Sequence, residues 1–594
     1  MTHRYDIQIL RGMAVVLVVL FHLNIPHFSY GFLGVDAFFV ISGFLMAILY
    51  KSGHVRDFYQ RRASRLLPAY FATIVGTLVV SAFVTLPSEH VQVAEQGIFA
   101  SFFVSNIWFW SQNSYFSKAE FNPLLHLWSL GVEIQFYLIV PLLFWLHSRS
   151  KILLVLLALG SMAAAFLLVH ISPKTAFFMM PFRIWQFLAG AGVAWYLTRA
   201  GATLFPKPWL GLSALVLLVG VSMLYPVDGK STEAIFGHPG LAAFLVTLAT
   251  AGVLAFGLPK MLEHSVPGVV LCKLGDWSYS IYLAHFPVIV LALYIPFSGT
   301  ILTPTGWEQT LLLIMGISVC SAILYMVFDK RRIWSGGFKM TGALMCGVTA
   351  LAVLSGPVSK LGYDTAQLNI LAAFGDRAPY RCGKLIRILN PNAQLCELTG
   401  LPETAPALVL VGNSHADSLK ASFATVAQEH GYRLFFTVSN APVVGTPHTA
   451  QLLDQFSIIG VEGVIAHFSS GPALYAHDIG FDSDVRAAGF DIVWVLGVPT
   501  YESSVPATIW ENPEISHAPP RNIADISELE IKLRSADVQV FDPRPVFCPD
   551  PDGCRLMDNQ MRPFYFDASH LTLTGARELE DMMRDVMNWF EEGR

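Results

Sequence analysis

Charged side chains are scarce in this sequence. They make up 14% of its 594 residues, while hydrophobic residues make up 54%; a soluble domain carries about 25% charged residues. A single soluble core is excluded, because such cores stop growing at about 250–300 residues. Disorder is excluded by the high apolar content, and a collagen-like chain by the missing glycine period. A membrane protein with several spans remains.

The few charges are divided unevenly between two parts of the chain. Residues 1–358 contain 21 Lys and Arg and 13 Asp and Glu, whereas residues 359–594 contain 17 and 30. The first part is nearly free of charge between short basic clusters, and the second has the composition of an acidic globular domain. An acidic domain argues against nucleic acid as a partner.

Long apolar runs fill the first part and predict a multi-span α-helical membrane domain of about eleven transmembrane helices. The predicted spans are 7–25, 32–50, 70–86, 125–147, 152–171, 179–197, 209–225, 240–256, 272–295, 308–328 and 339–358. A twelfth run, 93–110, is weaker and ends in tryptophans, so we expect a re-entrant or interfacial helix there.

Basic loops set the predicted topology, because cytoplasmic loops are rich in Lys and Arg. Basic clusters lie at 51–69, 148–151, 199–207 and 330–339. All four fall on one side only if 93–110 does not cross. The N-terminus is then cytoplasmic, and the acidic domain is outside. The first apolar run lacks a small-residue cleavage site, so we expect a retained helix.

Cysteine is also scarce, with seven residues in the chain. Three lie in apolar helices and are expected to be buried thiols. The other four form two close pairs in the acidic domain, Cys382/Cys396 and Cys548/Cys554. In an exported domain these predict two local disulfides, with four free thiols as the alternative. No cysteine or histidine stands at zinc-finger spacing, so no metal site is predicted.

The acidic domain alternates short apolar runs with helical stretches, which predicts an α/β/α fold with a parallel sheet covered on both faces. The predicted strands are 407–412, 433–439, 461–468, 491–498 and 538–542. Residues 573–592 predict a C-terminal helix capped by Thr574. The predicted domains are 1–330 for the membrane domain, 331–375 for the last span and a linker, and 376–594 for the outer domain.

Ionisable residues inside apolar helices are candidates for function, because burying them in hydrocarbon is costly. Arg11 and His22 are eleven residues apart, which is three helical turns, so both project from nearly the same face. Glu133 must be neutral or paired, and Arg183 is one possible partner. Hydrogen bonding between helices would be a sufficient reason for the Ser and Tyr residues inside these apolar helices. It accounts less well for the presence of Glu133 and His22.

A second candidate site lies in the outer domain. Ser414 follows strand 407–412 at the start of a helix, where sites form in open α/β sheets. Near the C-terminus, Asp567 and His570 are spaced so that a turn brings the carboxylate to the imidazole. Asp567 would then orient His570, and His570 would take the proton of Ser414. The Ser414 amide is one expected oxyanion donor, with Asn440 and Gly471 as further candidates.

The membrane part resembles membrane acyltransferase family 3. The Arg11 and His22 pair is similar to that family's Arg-x10-His signature, and four further blocks resemble it. These blocks are Gly34-Val-Asp36-Ala-Phe-Phe-Val-Ile-Ser42-Gly43, Arg61-Arg-Ala-Ser-Arg65-Leu-Leu-Pro68, His126-Leu-Trp128-Ser129 with Glu133-Ile-Gln135-Phe-Tyr137, and Gly275-Asp-Trp-Ser278-Tyr279 through His285-Phe-Pro287. The outer domain resembles the SGNH fold that often follows this family's domain, with Asn413 where Asp is usual.

This resemblance implies acyl transfer from cytoplasmic acyl-CoA, usually acetyl-CoA, across the membrane. His22 would be the base or acyl-handling residue, and Glu133 is grouped with it as catalytic. An arginine cluster would contact the CoA phosphates, and topology alone is an equally weighted explanation of it. The cluster consists of Arg11, Arg61, Arg62 and Arg65.

The expected function is O-acetylation of a cell-envelope polysaccharide, such as an O-antigen, through a Ser414 acyl-enzyme. Acetyl-CoA is the expected acyl donor, and the envelope glycan and the lipid bilayer are the expected partners. Two alternatives remain open at this point. The outer domain could be an esterase that uses water as acceptor, or the chain could be a transporter or flippase with a binding domain.

Overall fold

The computed structural model describes residues 4–112, 120–201, 205, 207–229, 231–330, 338–379, 390, 393–437, 444–445, 448–549 and 553–593. These residues divide into two compact units, Met1–Ser359 and Lys360–Arg594. The first unit is helical, and the second combines a sheet with helices.

The first unit is built from apolar helices with short connections. Its helices are α1 Tyr5–His22, α2 Gly34–Leu49, α3 Val55–Val84, α4 Pro87–Ser101, α5 Ser105–Ser111, α6 Leu127–Arg149, α7 Lys151–Ile171, α8 Pro173–Phe178, α9 Ile184–Arg199, α10 Pro208–Leu224, α11 Leu241–Phe256, α12 Lys260–Glu263, α13 Val266–Ala292, α14 Trp307–Leu324 and α15 Phe338–Ser359. A π-helical turn, Tyr325–Lys330, extends α14.

Among the described residues, seven helices are long and apolar enough to cross a membrane, and two shorter apolar helices, α10 and α11, accompany them. The remaining two predicted spans fall on α9, which has 16 residues, and on α13, which carries Lys273 and Asp276. The count of eleven crossings therefore stays a prediction. The weak run 93–110 is divided between α4 and α5 by a break at Phe103, whose φ is +60°.

Two pairs of glycines let helices approach closely. A Cβ on Gly12 of α1 would lie 2.0 Å from the Leu271 carbonyl oxygen of α13, and one on Gly275 of α13 would lie 1.9 Å from the Gln8 carbonyl oxygen. Gly43 of α2 and Gly190 of α9 show the same relation to each other's helices. Small residues at helix crossings are the usual way in which membrane helices pack closely.

The second unit contains, within the described residues, a six-stranded sheet and a separate two-stranded one. The strands are β1 Leu395–Glu397, β2 Ala407–Gly412, β3 Arg433–Thr437, β4 Val461–His467, β5 Asp491–Val495, β6 His517–Ala518, β7 Gln539–Phe541 and β8 Cys554–Arg555. The order is β1-β3-β2-β4-β5-β7. The five predicted strands are parallel to one another, whereas β1 pairs with β3 in the antiparallel sense. The sheet is therefore mixed rather than all parallel.

Helices cover both faces of this sheet, as the fully buried strands require. The helices of the unit are α16 Thr365–Ala372, α17 Ser414–Glu429, α18 His448–Ile459, α19 Ser470–Asp478, α20 Phe481–Ala487, α21 Val505–Glu511, α22 Ile523–Ser535, α23 Arg544–Phe547, α24 Leu573–Arg577 and α25 Glu580–Glu592. On one face, Val464 and Ala466 of β4 pack in a core with α18, α19, α20 and α22. On the other, Gly463 of β4 lies against Phe590 of α25.

The C-terminal helix differs from its prediction. It is divided into α24 and α25, and the cap is Thr572, whose hydroxyl accepts from the Gly575 amide at 3.0 Å. The predicted cap, Thr574, lies inside α24 and donates instead to the Asp376 carboxylate at 2.6 Å. The prediction was wrong by two residues because a distant carboxylate binds the Thr574 side chain.

Candidate active site

Ser414 lies at a sharp turn from strand to helix. It is the first residue of α17, immediately after β2 and the cap residue Asn413. A Cβ on Gly412 would lie 1.9 Å from the His467 carbonyl oxygen and 2.5 Å from the Ala416 Cβ, so only glycine allows β4 and α17 to approach this closely. The turn places the serine hydroxyl at the carboxyl edge of the sheet, beside the amides of a helix N-terminus.

The structure brings Ser414, Asp567 and His570 together as predicted. The Ser414 Oγ lies 2.8 Å from Nε2 of His570, and Nδ1 of His570 lies 2.7 Å from Oδ2 of Asp567. The other carboxylate oxygen of Asp567 accepts the backbone amides of Ser569 and His570, at 2.7 and 2.8 Å. This is the geometry of a serine nucleophile with its base and its orienting carboxylate.

The charge of Asp567 is stabilised in place. Burial alone would raise its pKa, but the hydrogen bond and charge of the His570 ring, together with two backbone amides, hold that pKa below its ordinary value. An ionised Asp567 accepts the Nδ1 proton of His570, which leaves the Nε2 lone pair directed at the Ser414 hydroxyl. The histidine is therefore in the tautomer that a general base requires.

Asn413 holds the turn with hydrogen bonds. Its side-chain oxygen accepts the His415 amide at 3.0 Å and the Ser469 amide at 3.3 Å, and its side-chain nitrogen donates to the Ser469 hydroxyl at 2.7 Å. These bonds connect the start of α17 to the start of α19. Gly471, a predicted oxyanion donor, stands in the first turn of α19, two residues beyond Ser469. The other candidate, Asn440, lies outside the described residues.

Two further histidines stand beside the triad. The His415 ring is 4.8 Å from that of His570 and 6.5 Å from that of His467. Burial lowers the pKa of His415 well below its ordinary value, and the neighbouring His570 and His467 lower it further. Burial lowers the pKa of His467 to about 4, although its ring nitrogen donates to the Val495 carbonyl oxygen at 3.0 Å. Both imidazoles are therefore neutral at pH 7.

Several residues that position the triad were not found from the sequence. Phe566 stacks on the His570 ring, with centroids 5.5 Å apart and planes at 12°. The amides of Tyr501 and Val505 donate to the carbonyl oxygens of Ala568 and Asp567 at 2.9 and 3.2 Å. Backbone hydrogen bonds of this kind have no side-chain pattern that a sequence could show.

Asp376 holds the segment that directly follows His570, at Leu573 and Thr574. Its backbone carbonyl accepts the Leu573 amide at 2.8 Å, and its carboxylate accepts the amide and the hydroxyl of Thr574 at 3.1 and 2.6 Å. Asp376 lies almost 200 residues earlier in the chain, so its role depends on the fold and no local motif indicates it.

The first unit contains a cavity of about 750 Å³ that collects the predicted arginines and Glu133. Its basic residues are Arg11 of α1 and three residues near the start of α3, Arg61, Arg62 and Arg65. The acidic side chains Asp276 and Asp329 also line the cavity. Sequence segments more than 250 residues apart therefore form one polar chamber inside the helical unit.

Glu133 is bound by hydroxyls rather than by Arg183. The hydroxyls of Ser42 and Tyr137 both donate to the same carboxylate oxygen of Glu133. Arg183, which we predicted as a possible partner, instead pairs with Asp36 at 3.0 Å, and Gln186 donates to that same Asp36 oxygen at 2.5 Å. The prediction was wrong because the close packing of α2 on α9 places Asp36 beside Arg183.

His22 lies in a group of buried aromatic and imidazole rings. Its Nδ1 is 3.1 Å from Nε2 of His285, and Nδ1 of His285 donates to the Tyr282 carbonyl oxygen at 2.7 Å. The Tyr282 hydroxyl lies 2.6 Å from that of Ser129, and both of these residues line the cavity. His22 does not line the cavity. The His285 ring lies between His22 and Tyr282, and Tyr282 does line the cavity. His126 completes the group, with its ring 5.5 Å from that of His285.

One of the two predicted disulfides is described in full. Cys548 and Cys554 are bonded, with Cα atoms 4.0 Å apart. Cys396 is also disulfide-bonded, while Cys382, its predicted partner, lies outside the described residues. Cys272, Cys320 and Cys346 are free thiols, but only Cys272 is buried, so burial was predicted wrongly for the other two. In the described part of the chain, no three metal-binding side chains cluster as a metal site would require.

Comparison with known proteins agrees with this architecture. Residues 4–326 match the family model of the acyltransferase domain Acyl_transf_3, and residues 473–585 match that of the SGNH domain fused to such domains. The second match contains Asp567 and His570, while Ser414 lies before it. No solved structure matches the chain.

Three relatives illustrate the similarity. The provisionally named membrane-bound transacylase BcsY of Komagataeibacter xylinus is 34% identical over 305 residues, which cover 50% of this chain and 75% of the relative. The O-acetyltransferase OatA of Staphylococcus aureus is 31% identical, over 47% of this chain and 50% of its own. YrhL of Bacillus subtilis, provisionally named a peptidoglycan O-acetyltransferase, is 30% identical, over 57% and 56%. The chain thus spans about half the length of the last two.

The family match covers more than half of the chain and contains His22 and most of the residues that line the cavity. The protein is an acyltransferase and belongs to the membrane acyltransferase family 3, with an SGNH domain at its C-terminal end.

Proposed function

We propose that the protein transfers acetyl groups from cytoplasmic acetyl-CoA, across the bacterial inner membrane, to hydroxyls of a cell-envelope polysaccharide. The observation that carries the proposal is the Ser414–His570–Asp567 geometry, with 2.8 and 2.7 Å contacts. The arginine-lined cavity supports a CoA site, because guanidinium groups bind phosphates in a bidentate manner. The chain would cross the membrane eleven times, with the C-terminal unit in the periplasm.

In the membrane unit, the acyl thioester would enter the cavity with its phosphates near the arginines. The C–S bond breaks as the acyl group bonds either to a ring nitrogen of His22 or to an acceptor oxygen whose proton His22 takes. The proton displaced from that nitrogen or oxygen passes to the thiolate as CoA leaves. His22 would act as the base or as the acyl-accepting group. Glu133, held by Ser42 and Tyr137, would fix the polar end of the cavity.

In the outer unit, the Ser414 Oγ attacks the acyl carbonyl while His570 takes its proton. The bond to the incoming carrier breaks, and His570 gives the proton to the leaving atom. A sugar hydroxyl then attacks the acyl-serine, His570 takes the hydroxyl proton, and the proton returns to Ser414 as the C–Oγ bond breaks. The Ser414 amide and Gly471 are the proposed oxyanion donors.

Acetylation of the envelope glycan by cells that carry single variants tests this proposal. We expect Ser414→Ala and His22→Asn to abolish O-acetylation at normal protein levels. Two control variants at exposed positions, Ser457→Ala on α18 and His27→Asn, should leave O-acetylation unchanged. Full acetylation by both Ser414→Ala and His22→Asn would overturn the proposal. Release of acetate from acetylated glycan, without any transfer, would favour an esterase instead.

A further inference from the structure

We infer that the outer unit binds its glycan acceptor in a cavity beside the catalytic loop, with Glu502 and Arg521 as the hydrogen-bonding groups. This inference rests on the proposed function and locates the acceptor. The cavity has a volume of about 370 Å³, within the range of about 300–1,000 Å³ that is usual for small-molecule sites. It belongs to neither the triad nor the membrane unit.

The position of the cavity connects it to the reaction. Tyr501 and Val505 line it, and the amides of these two residues donate to the carbonyl oxygens of Ala568 and Asp567. One segment therefore forms a wall of the cavity and also holds the loop that carries Asp567 and His570. A hydroxyl-bearing ligand in the cavity would be bound by the same segment that positions the general base.

The lining chemistry fits a sugar. Glu502 and Arg521 place an acceptor and a multiple donor at the surface of the cavity, and Ser503 and Thr508 add hydroxyls. Vicinal sugar hydroxyls both donate and accept, so they can bind a carboxylate and a guanidinium together. Pro519 contributes an exposed, flat apolar surface of the kind on which a sugar ring can lie. An acyl chain offers no hydrogen bond to either charged group, so the lining matches a sugar better than an acyl chain.

The part of the wall that Ala518 forms is braced by the disulfide. Ala518 of β6 lines the cavity and pairs with Cys554 of β8, which is bonded to Cys548. Gly553 allows the close approach, because a Cβ there would lie 3.0 Å from Ala518 backbone atoms and its φ is +133°. The Arg521 amide also donates to the Thr500 carbonyl oxygen at 2.7 Å. A site with fixed walls binds a ligand at a lower ordering cost.

The test separates acceptor binding from the chemistry of the triad. The full-length protein in detergent receives p-nitrophenyl acetate as a soluble acyl donor. The acceptors are oligosaccharides released from the envelope of the producing cell and stripped of acetyl groups by mild alkali. Nitrophenol release measures formation of the acyl-enzyme, and mass spectrometry of the oligosaccharides measures transfer.

We expect Glu502→Gln with Arg521→Ala to lower transfer by about tenfold to hundredfold at limiting acceptor, mainly through a higher KM for the oligosaccharide, because two charge-assisted hydrogen bonds are lost. Nitrophenol release should stay within about twofold of the parent. The matched control, Glu511→Gln with Arg534→Ala, changes exposed residues that do not line the cavity and should alter neither activity.

Unchanged transfer by the double variant would overturn the inference, and so would a parallel fall in transfer and nitrophenol release, because that result indicates a structural role. A parent protein that releases nitrophenol but transfers no acetyl would contradict the proposed function itself. If the parent and the double variant transfer acetyl equally well, the proposed function stands and only the assignment of the acceptor site is contradicted.

Discussion

At the scale of residues, the triad depends on one charge that is held in place. The pKa of Asp567 stays below its ordinary value because the His570 ring and two amides outweigh the effect of burial. The carboxylate is therefore ionised at neutral pH. It fixes the His570 tautomer without exchanging a proton itself.

Asp567→Asn should lower Ser414-dependent hydrolysis of p-nitrophenyl acetate by on the order of 10³–10⁴-fold, because an amide would favour the wrong histidine tautomer. The rate of nitrophenol release by the full-length protein in detergent checks this. Asp558→Asn is a suitable control, since Asp558 pairs with Arg562 away from the triad. A loss of less than tenfold would show that Asp567 does not orient the base.

A second residue-scale expectation concerns His285. Because its Nδ1 donates to the Tyr282 carbonyl oxygen, its Nε2 must accept, and the proton between the two rings belongs to Nδ1 of His22. The lone pair of His22 is then on Nε2. His285 is a positioning residue in this account, acting through His22 rather than on the acyl group.

His285→Gln, which can still accept a hydrogen bond from His22, should retain more glycan acetylation than His285→Leu, which cannot. We expect a loss of roughly tenfold or more for the leucine variant, measured as glycan acetylation by proteoliposomes supplied with acetyl-CoA, with KM for acetyl-CoA nearly unchanged. Equal activity in the two variants would indicate that the ring fills space and does not orient His22.

At the scale of elements, the motifs that lie within one strand-to-helix turn or one short loop were readable from the sequence. Ser414 and the Asp567–His570 pair were placed correctly, because the carboxyl edge of a sheet gathers such residues. The antiparallel edge strand β1 was missed, since three residues carry too little periodicity to indicate a strand. The Asp36–Arg183 pair could not be predicted either, because it depends on how α2 packs on α9.

Helix crossings at glycine are expected to be intolerant of even one methyl group. Gly12→Ala would place a Cβ 2.0 Å from a backbone oxygen of α13, and α1 and α13 carry Arg11, His22 and His285. We expect a loss of about 1–3 kcal/mol or more from forced separation of the helices. Thermal unfolding followed by fluorescence-detected size exclusion checks this. Gly160→Ala in α7, which meets nothing within 4 Å, is the control and should be neutral or stabilising.

The end of β4 should make the second unit sensitive to acid. His467 is buried between His415 of α17 and the Val495 carbonyl of β5, and its pKa is about 4, while in the unfolded chain it is near 6.5. The unfolded chain therefore binds the extra proton between these values. Stability is present above about pH 6.5 and falls by about 3 kcal/mol as the pH drops to about 4.

His467→Asn keeps a donor for the Val495 carbonyl but does not titrate, so its stability should change less between pH 7 and pH 5. Limited proteolysis of the full-length chain, with peptides from β4 followed by mass spectrometry, measures this at each pH. His517→Asn, at a half-buried position in β6, should keep the parent's pH dependence. An identical pH response in His467→Asn and the parent would show that His467 does not carry the effect.

At the scale of the whole molecule, the charged residues are distributed differently in the two units. In the helical unit, the arginines near the start of α3 and Arg11 gather at one cavity, so the few charges present are concentrated in one place. The second unit is an α/β domain of acidic composition, and it contains disulfides and the Ser414–His570–Asp567 contacts. The proposed reaction needs both units, because one would accept the acyl group from CoA and the other would give it to a sugar.

The central claim is that an acetyl group from acetyl-CoA reaches Ser414. Proteoliposomes of the full-length protein, supplied with isotopically labelled acetyl-CoA and no acceptor, can be quenched rapidly and digested for mass spectrometry of the peptide that contains Ser414. We expect label on that serine in the parent and its loss in Ser414→Ala and in His22→Asn. An unlabelled Ser414 in a preparation that acetylates added glycan, or full labelling of Ser414 in His22→Asn, would contradict it.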